Sequence, residues 1–356
     1  DPIDNRWWVD ADKPWLFLAW CLEAGEYLQN PSPSFVSRIP ISADGSNNGL
    51  QCYSLLMRDE VGGAATNCIP SDQPADIYQM VADETTQLLK QEVERKGDNA
   101  EIAECWLRVA GGALPRKATK RVVMTEPYSS TMYSRQHYVS EWYWDQVRGA
   151  SVGNAPFPPQ QTYSACWWLA EKISEALSNT VTASSVAMAW MRELCDIASS
   201  QGVHLRWTTP SGLKVRQHYC KSTSRTVEIN ANRKVKIYLR DTTDLVDPSR
   251  SANGFCPNFI HSLDAAAATM TVNAAVDAGI TDLMFIHDSF GCHAAYAPTL
   301  GVLLRATYAD IFSRHLLDDL RAEVGRLLAP GTELPNTPAC GKLNPRDLLS
   351  SPYFFA

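Results

Sequence analysis

No stretch of about 18 apolar residues runs anywhere in this 356-residue chain, so no segment has the length to cross a bilayer as a helix. The first residues, DPIDNRWWVD, lack the basic and apolar blocks of a signal peptide, and no Met starts them. The expectation is a cut through a longer protein with no membrane partner. No CxxC pair occurs among the ten cysteines, which stand at 21, 52, 68, 105, 166, 195, 220, 256, 292 and 340. That scatter lacks the paired spacing of zinc modules and points to reduced, mostly core thiols. That favours a cytosol-like, reducing compartment. Internal repeats and low-complexity tracts are also missing.

Acidic residues are scarce in one region. The chain as a whole carries −7, which argues against a nucleic-acid partner, yet residues 205–240 hold nine Lys or Arg against a single acid, Glu228. With +8 concentrated there, the remainder carries −15. RKATKR at 116–121 adds four cations in six residues. Charge concentrated in this way on an acidic body is the footprint of polyanion binding; the bland alternative is a solvated charged face.

A hydrophobic content of 45% with 11 tryptophans supports a large core and more than one domain. The segment 37–44, SRIPISAD, reads as a strand delivering Asp44 at its end. Helical spacing follows from Gly49 to Glu60, stopped by Gly62 and Gly63. Helices are expected over 75–93, over 163–200 as one long or broken element, over 263–279 with Gly279 as its cap, and through 298–328. NAPFPPQQ at 154–161 reads as a proline loop. TVEI, NANR and KVKIYL in 226–239 predict two strands around an Asn-rich turn, hence a basic hairpin. LMFIHD (283–288) and CHAAY predict a second hairpin. If the strands ending in Asp44 and Asp288 pair in one antiparallel sheet, both carboxylates stand at the same edge. Two such carboxylates can bridge two Mg²⁺ ions about 3.5–4 Å apart for in-line phosphoryl transfer. The HD dipeptide alone is weak evidence, equally at home in a helix-borne metal phosphohydrolase or an ordinary turn.

Five ordered motifs narrow the choice. DGSNNGLQCYSLLMRDEVGG (44–63), KRVVMTEPY (120–128), PNFIHSLDA (257–265), IHDSFG (286–291) and LNPRDLLSSPYFFA (343–356) resemble the catalytic half of phage-type single-subunit DNA-dependent RNA polymerases, over essentially the whole chain. The resemblance implies an α+β fold: a right-hand palm with an antiparallel sheet and a mainly helical fingers insertion. The first part of the palm would be 1–72. The fingers would be 73–261, including a nucleotide-binding helix at 116–128 and the basic hairpin at about 213–245. The second part of the palm would be 262–356. It also implies DNA-templated RNA synthesis, with DNA template, RNA product and ribonucleoside triphosphates as partners. Nothing here matches that family's promoter-binding domain or thumb, so a missing N-terminal region or a second chain is expected to supply them.

The resemblance assigns roles by position. Asp44, Asp288 and the carbonyl of Gly45 match the metal ligands. Arg116, Lys120 and Arg121 match nucleotide-binding cations, suited to a triphosphate by fixed charge. Tyr128 matches a sensor of the sugar 2′-hydroxyl, with His261 near the same sugar and His287 beside the metal-binding Asp288. Gly49 stands where related DNA polymerases carry a glutamate that walls off the 2′-hydroxyl. Tyr78 fits an aromatic near the templating base. Arg225, Arg233, Lys234 and Lys236 belong to a region that reads promoter DNA, and Phe355 and Ala356 to the C-terminal nucleic-acid contact. The sequence departs from the pattern at Cys52, where His is usual, at Asn47 and Asn48, at Pro127, which should kink or end the helix before Tyr128, and at Ser129, where Gly is usual. The rivals are a family A-like DNA polymerase, an HD-type phosphohydrolase and a non-catalytic nucleic-acid-binding subunit.

Overall fold

The computed structural model describes residues 2–148, 156–230 and 234–355. A 3₁₀ turn at Trp7–Asp10 leads into α1 (Pro14–Gln29), none of whose residues is buried. The first strand, β1 (Ile41–Asp44), is shorter than the eight residues expected. It runs into α2 (Asn48–Met57), capped by the Asn47 side chain, which accepts from the Leu50 amide. All ten residues of α2 are buried. The helix ends because Arg58 turns left-handed (φ 54°), not because of the glycines. Gly62 and Gly63 lie inside a second short helix, α3 (Glu60–Ala65), where a side chain on Gly62 would come within 2.5 Å of Ser54 Oγ.

A run of helices follows, beginning with α4 (Ile77–Glu94), α5 (Ala100–Val109), α6 (Arg116–Thr125), α7 (Met132–Val147) and α8 (Pro159–Thr180). In α4 the buried positions 77, 78, 81, 82, 85, 86 and 89 form one stripe, and Asp76 caps its start by accepting from the Tyr78 and Gln79 amides. Such a cap contributes about 1 kcal/mol. The expected proline loop begins outside the described residues and is over by Pro159, which opens α8. The long helix is broken: Val181, extended and buried, separates α8 from α9 (Thr182–Ser200).

A small antiparallel pair, β2 (Arg206–Thr208) with β3 (Lys214–Arg216), precedes the basic hairpin of β4 (Cys220–Asn230) and β5 (Lys234–Val246). The 30-residue α10 (Pro248–Asp277) starts fifteen residues earlier than its sequence suggests and runs through Pro257. An interior proline costs about 3 kcal/mol. Phe255, Cys256, Phe259 and Ile260, all buried around it, offset that, since each large apolar side chain contributes roughly 1.5–3 kcal/mol. The remaining elements are β6 (Leu283–Ile286), β7 (Ser289–Cys292), α11 (Ala297–Ser313) and α12 (Leu316–Gly325), so the expected helix over 298–328 is two.

One sheet has the order β1–β7–β6, antiparallel throughout. The two aspartate-bearing strands therefore do not pair directly; β7, formed by SFGC rather than CHAAY, lies between them. Two apolar cores flank α2. Leu50 belongs to a core built with α4 to α8 around Trp106 and Tyr143, whereas Tyr53 and Leu55 face a second core formed with α9 to α12 and Phe290. The helix following Asp44 is thus fixed from both sides. Among the described residues no helix is long and apolar enough to cross a membrane.

Candidate active site

β1 ends at Asp44, which lies opposite Ser289, and Asp288 precedes Ser289 in the two-residue turn joining β6 to β7. The register brings the two carboxylates to one sheet edge, where both line a cavity of about 400 Å³. Partial desolvation by the cavity walls pushes the Asp44 carboxyl above its usual range, and the negative charge of Asp288 adds to it; the Gly45 amide and Lys120 oppose the shift. Gly45 bridges antiparallel to Phe355. Phe355 is buried, packed edge-on against Phe290 (5.4 Å between centroids) and Tyr308 (5.3 Å), so it supports the aspartate edge from behind and has little surface left for nucleic acid. Ala356 lies outside the described residues.

A third carboxylate was not anticipated. Asp264, on α10, is pushed up to about 6 by burial and by the charge of Asp288, while a hydrogen bond from Asn48 Nδ2 (2.9 Å) opposes the shift. Asn48 Oδ1 in turn accepts from the Tyr308 hydroxyl (3.3 Å) and from Cys52 Sγ (3.6 Å). Two of the positions that depart from the family pattern, Asn48 and Cys52, thus share one buried network. Asp264 stands three residues after His261 on the same helix, and that spacing was the available signal.

The facing wall is α6. Arg116, Lys120 and Met124, one turn apart, line the cavity with Tyr78 and Tyr128. Tyr78 lies beneath the cations, its ring centroid 4.8 Å from the Arg116 guanidinium carbon and 5.9 Å from Lys120 Nζ. Its hydroxyl donates to the Ser46 carbonyl (3.3 Å) and is pushed up to about 12 by burial. Arg116 also pairs with Asp76 at 2.5 Å. Arg121 points elsewhere: it pairs with Glu141 and stacks over Tyr138 at 4.3 Å, outside the cavity that holds the aspartates.

Pro127 ends α6 at Thr125, and Glu126–Tyr128 forms a 3₁₀ turn closed by Ser129 in the left-handed region (φ 59°). The kink keeps Tyr128 in the cavity wall, where it lies flat on His261 with centroids 4.5 Å apart and planes 3° from parallel. Desolvation, with His287 adding, holds the His261 imidazole below its usual range. Burial pushes the Tyr128 hydroxyl far up, so it stays neutral and able to donate. Gly49 is buried beneath this pair: a Cβ there would approach Pro127 Cβ to 2.7 Å and Tyr128 Cζ to 3.1 Å. His287 occupies the turn beside Asp288 with φ 55°, exposed and outside the cavity lining.

The basic hairpin is solvent-exposed and two-faced. Val227 opposite Ile237 and Ile229 opposite Val235 make one face apolar, and Glu228 opposite Lys236 lies on the other. Lys236 pairs with Glu228 at 3.3 Å and Arg225 with Asp241 at 3.8 Å. Arg233 lies outside the described residues, and Lys234 is described only by its backbone pairing with Asn230. All ten cysteines are free thiols, seven of them buried.

A sequence model of the family described as DNA-dependent RNA polymerase matches residues 1–330. The chain is 32% identical over 355 residues to DNA-directed RNA polymerase 2, chloroplastic/mitochondrial, of Arabidopsis thaliana, covering 99% of this chain and 34% of that protein. Its Nicotiana sylvestris counterpart is 33% identical over 357 residues, with the same coverage. The mitochondrial DNA-directed RNA polymerase of Mus musculus is 30% identical over 322 residues, covering 90% of this chain and 25% of that protein. The chain thus spans about a third or less of the curated relatives it matches. With the family pattern running from residue 1 to 330, the chain belongs to the DNA-dependent RNA polymerase family.

Proposed function

We propose that this chain is the nucleotidyl-transfer portion of a DNA-templated RNA polymerase, acting on ribonucleoside triphosphates. The observation that carries this reading is the convergence of Asp44 and Asp288 across one cavity from Arg116 and Lys120, with Tyr128 closing the side. The 3′-hydroxyl of the RNA attacks the α-phosphorus, and pyrophosphate leaves. Lys120 and Arg116 hold the triphosphate by charge where negative charge builds up. Tyr128, neutral and braced flat by His261, donates to the 2′-hydroxyl. Gly49 keeps that tyrosine in place by leaving room for Pro127.

The donor set suits Mg²⁺. Oxygen ligands from Asp44, Asp288 and the Gly45 carbonyl match a hard cation, and the burial and the charge of Asp288 that together raise Asp44 are what a divalent ion would offset. Two bound ions would supply Lewis-acid activation of the attacking oxygen and stabilise the leaving one. An HD-type phosphohydrolase is disfavoured because His287 and Asp288 occupy a β-turn rather than a helix. In this reading residues 1–72 and 262–356 make the palm and 73–261 the fingers, and Arg225 and Lys236 on the hairpin contact DNA. A further N-terminal region or a second chain completes the enzyme, in keeping with relatives about three times longer. The relatives' chloroplast and mitochondrial names and the free thiols favour an organelle matrix or a similarly reducing compartment.

The test is extension of an RNA primer on a DNA template by the purified full-length protein with any partner chain. Ribonucleotide addition that requires Mg²⁺ and prefers ribo- over deoxynucleotides is expected. Preference for deoxynucleotides would support the DNA polymerase, and no addition with intact hybrid binding would support the idle subunit.

A further inference from the structure

His204, His218 and Cys220 come from separate places, a loop after α9, a loop after β3 and the first residue of β4, yet their donor atoms all lie within 4.8 Å of one another. Cys220 Sγ is 3.5 Å from His218 Nε2 and 3.7 Å from His204 Nε2, and the two imidazole rings are 4.3 Å apart, tilted by 55°. Tetrahedral zinc with a thiolate at about 2.3 Å and an imidazole nitrogen at about 2.0–2.1 Å requires a sulfur-to-nitrogen edge of about 3.6 Å. Both observed separations match that edge. Among the described residues this is the one group of three such side chains close enough to share an ion, and it is distinct from the aspartate cavity.

The ligands are built into the fold. Cys220 is buried and opens β4 opposite Val246, the last residue of β5. The Gln217 amide donates to the Leu205 carbonyl (2.9 Å), fixing the His204 loop against the His218 loop. Gln217 Nε2 donates to the Ser251 carbonyl (2.6 Å), tying both to α10. His204 Nδ1 is buried without a hydrogen-bond partner, so Nε2, aimed at Cys220, is the working face of that ring. We propose that His204, His218 and Cys220 form a site for a zinc-type divalent cation, completed by water on the exposed His218 side, which locks the base of the β4–β5 hairpin to the body of the protein. Cys220 supplies the thiolate by releasing its proton as the ion enters. The proposal is independent of the polymerase chemistry.

The test uses metal-free full-length protein in excess Mg²⁺, which occupies the aspartate site, titrated with Co²⁺ as a spectroscopic substitute for Zn²⁺. One equivalent of Co²⁺ should produce a thiolate-to-cobalt charge-transfer band with tetrahedral visible absorption, abolished by one equivalent of Zn²⁺. Cys220→Ser should abolish the charge-transfer band. His204→Ala and His218→Ala should each weaken Zn²⁺ binding by more than about 100-fold, beyond the effect of losing an outer-shell partner. Because His218 is exposed, its variant should keep the metal-free melting temperature, so its result decides the matter even if the buried variants misfold. A wild-type protein without a thiolate band at one equivalent, or a His218→Ala variant that binds Zn²⁺ like wild type, would overturn the site.

Discussion

Helix α6 and the β4–β5 hairpin carry similar runs of cations, and in both the arginines that carry ion pairs reach carboxylates on neighbouring elements, but the lysines differ. On α6, Lys120 has no ion-pair partner among the described residues; it lies over Tyr78 and opposes the upward shift of Asp44 across the cavity. On the hairpin, Lys236 and Arg225 each pair with a carboxylate on the neighbouring strand, in the open. Exposed pairs of this kind contribute about 0–1 kcal/mol and are easily exchanged for phosphate. The same charge density therefore has two uses. An unpaired lysine facing carboxylates across a cavity is placed to act on whatever lies between them, whereas cations paired across an exposed ribbon are free to exchange partners.

The largest expected effect breaks the cavity side. Asp288→Asn should lower nucleotide addition by at least about 10³-fold, as loss of a group stabilising charge in the transition state does, when single-nucleotide extension is timed on a preformed hybrid. Gly49→Ala pushes a methyl group into Pro127 and should cost about 1–3 kcal/mol in urea unfolding, whereas Gly25→Ala, with open space around it on exposed α1, should be neutral or slightly stabilising. Tyr128→Phe removes one hydroxyl; RNA synthesis should persist while discrimination against deoxynucleotides in a competition assay falls about ten- to a hundredfold.

The pH dependence of stability tests the carboxylate cluster. Asp264 keeps its proton up to about pH 6 in the folded chain, above the ordinary 3.8 of an unfolded aspartate. Its ionisation therefore costs nothing below about pH 4 and destabilises the fold increasingly as pH rises through 6. In divalent-free buffer the wild type should lose more melting temperature between those pH values than Asp264→Asn, whose amide oxygen can still accept from Asn48. The smallest effect is on the hairpin: Lys236→Ala should weaken binding to all duplexes alike and flatten the salt dependence by about one unit, while Arg225→Ala, if it grips a base, should shift which duplex is preferred. Uniform weakening by both would make the hairpin an electrostatic clamp.

The same comparison explains what the sequence could reveal. Strand alternation and turn residues located Asp44 and the basic hairpin, and the cation spacing 116, 120 placed one face of α6, because these signals are local. The start of α10 was hidden by Pro257, whose local penalty is outweighed only by packing with distant residues. The turn at 287–288 was displaced because SFGC pairs on both sides, with β1 and β6, a fact no short window contains. Gly62 and Gly63 read as breakers although the tertiary packing needs their missing side chains. Asp264 stands within the PNFIHSLDA motif but acquires its character from tertiary burial and from Asp288, 24 positions away. His204, His218 and Cys220 have no paired spacing, and only the return of β4 past the α9 loop brings them together.

The central claim is that chemistry resides at the aspartate edge and affinity on the ribbon. The most direct measurement takes Asp44→Asn and the Arg225→Ala Lys236→Ala double variant side by side, recording single-turnover extension and hybrid dissociation on the same samples. The account predicts that Asp44→Asn loses extension while binding stays within about threefold of wild type, and that the hairpin variant binds more weakly yet extends normally once saturated. Near-normal extension by Asp44→Asn would contradict it.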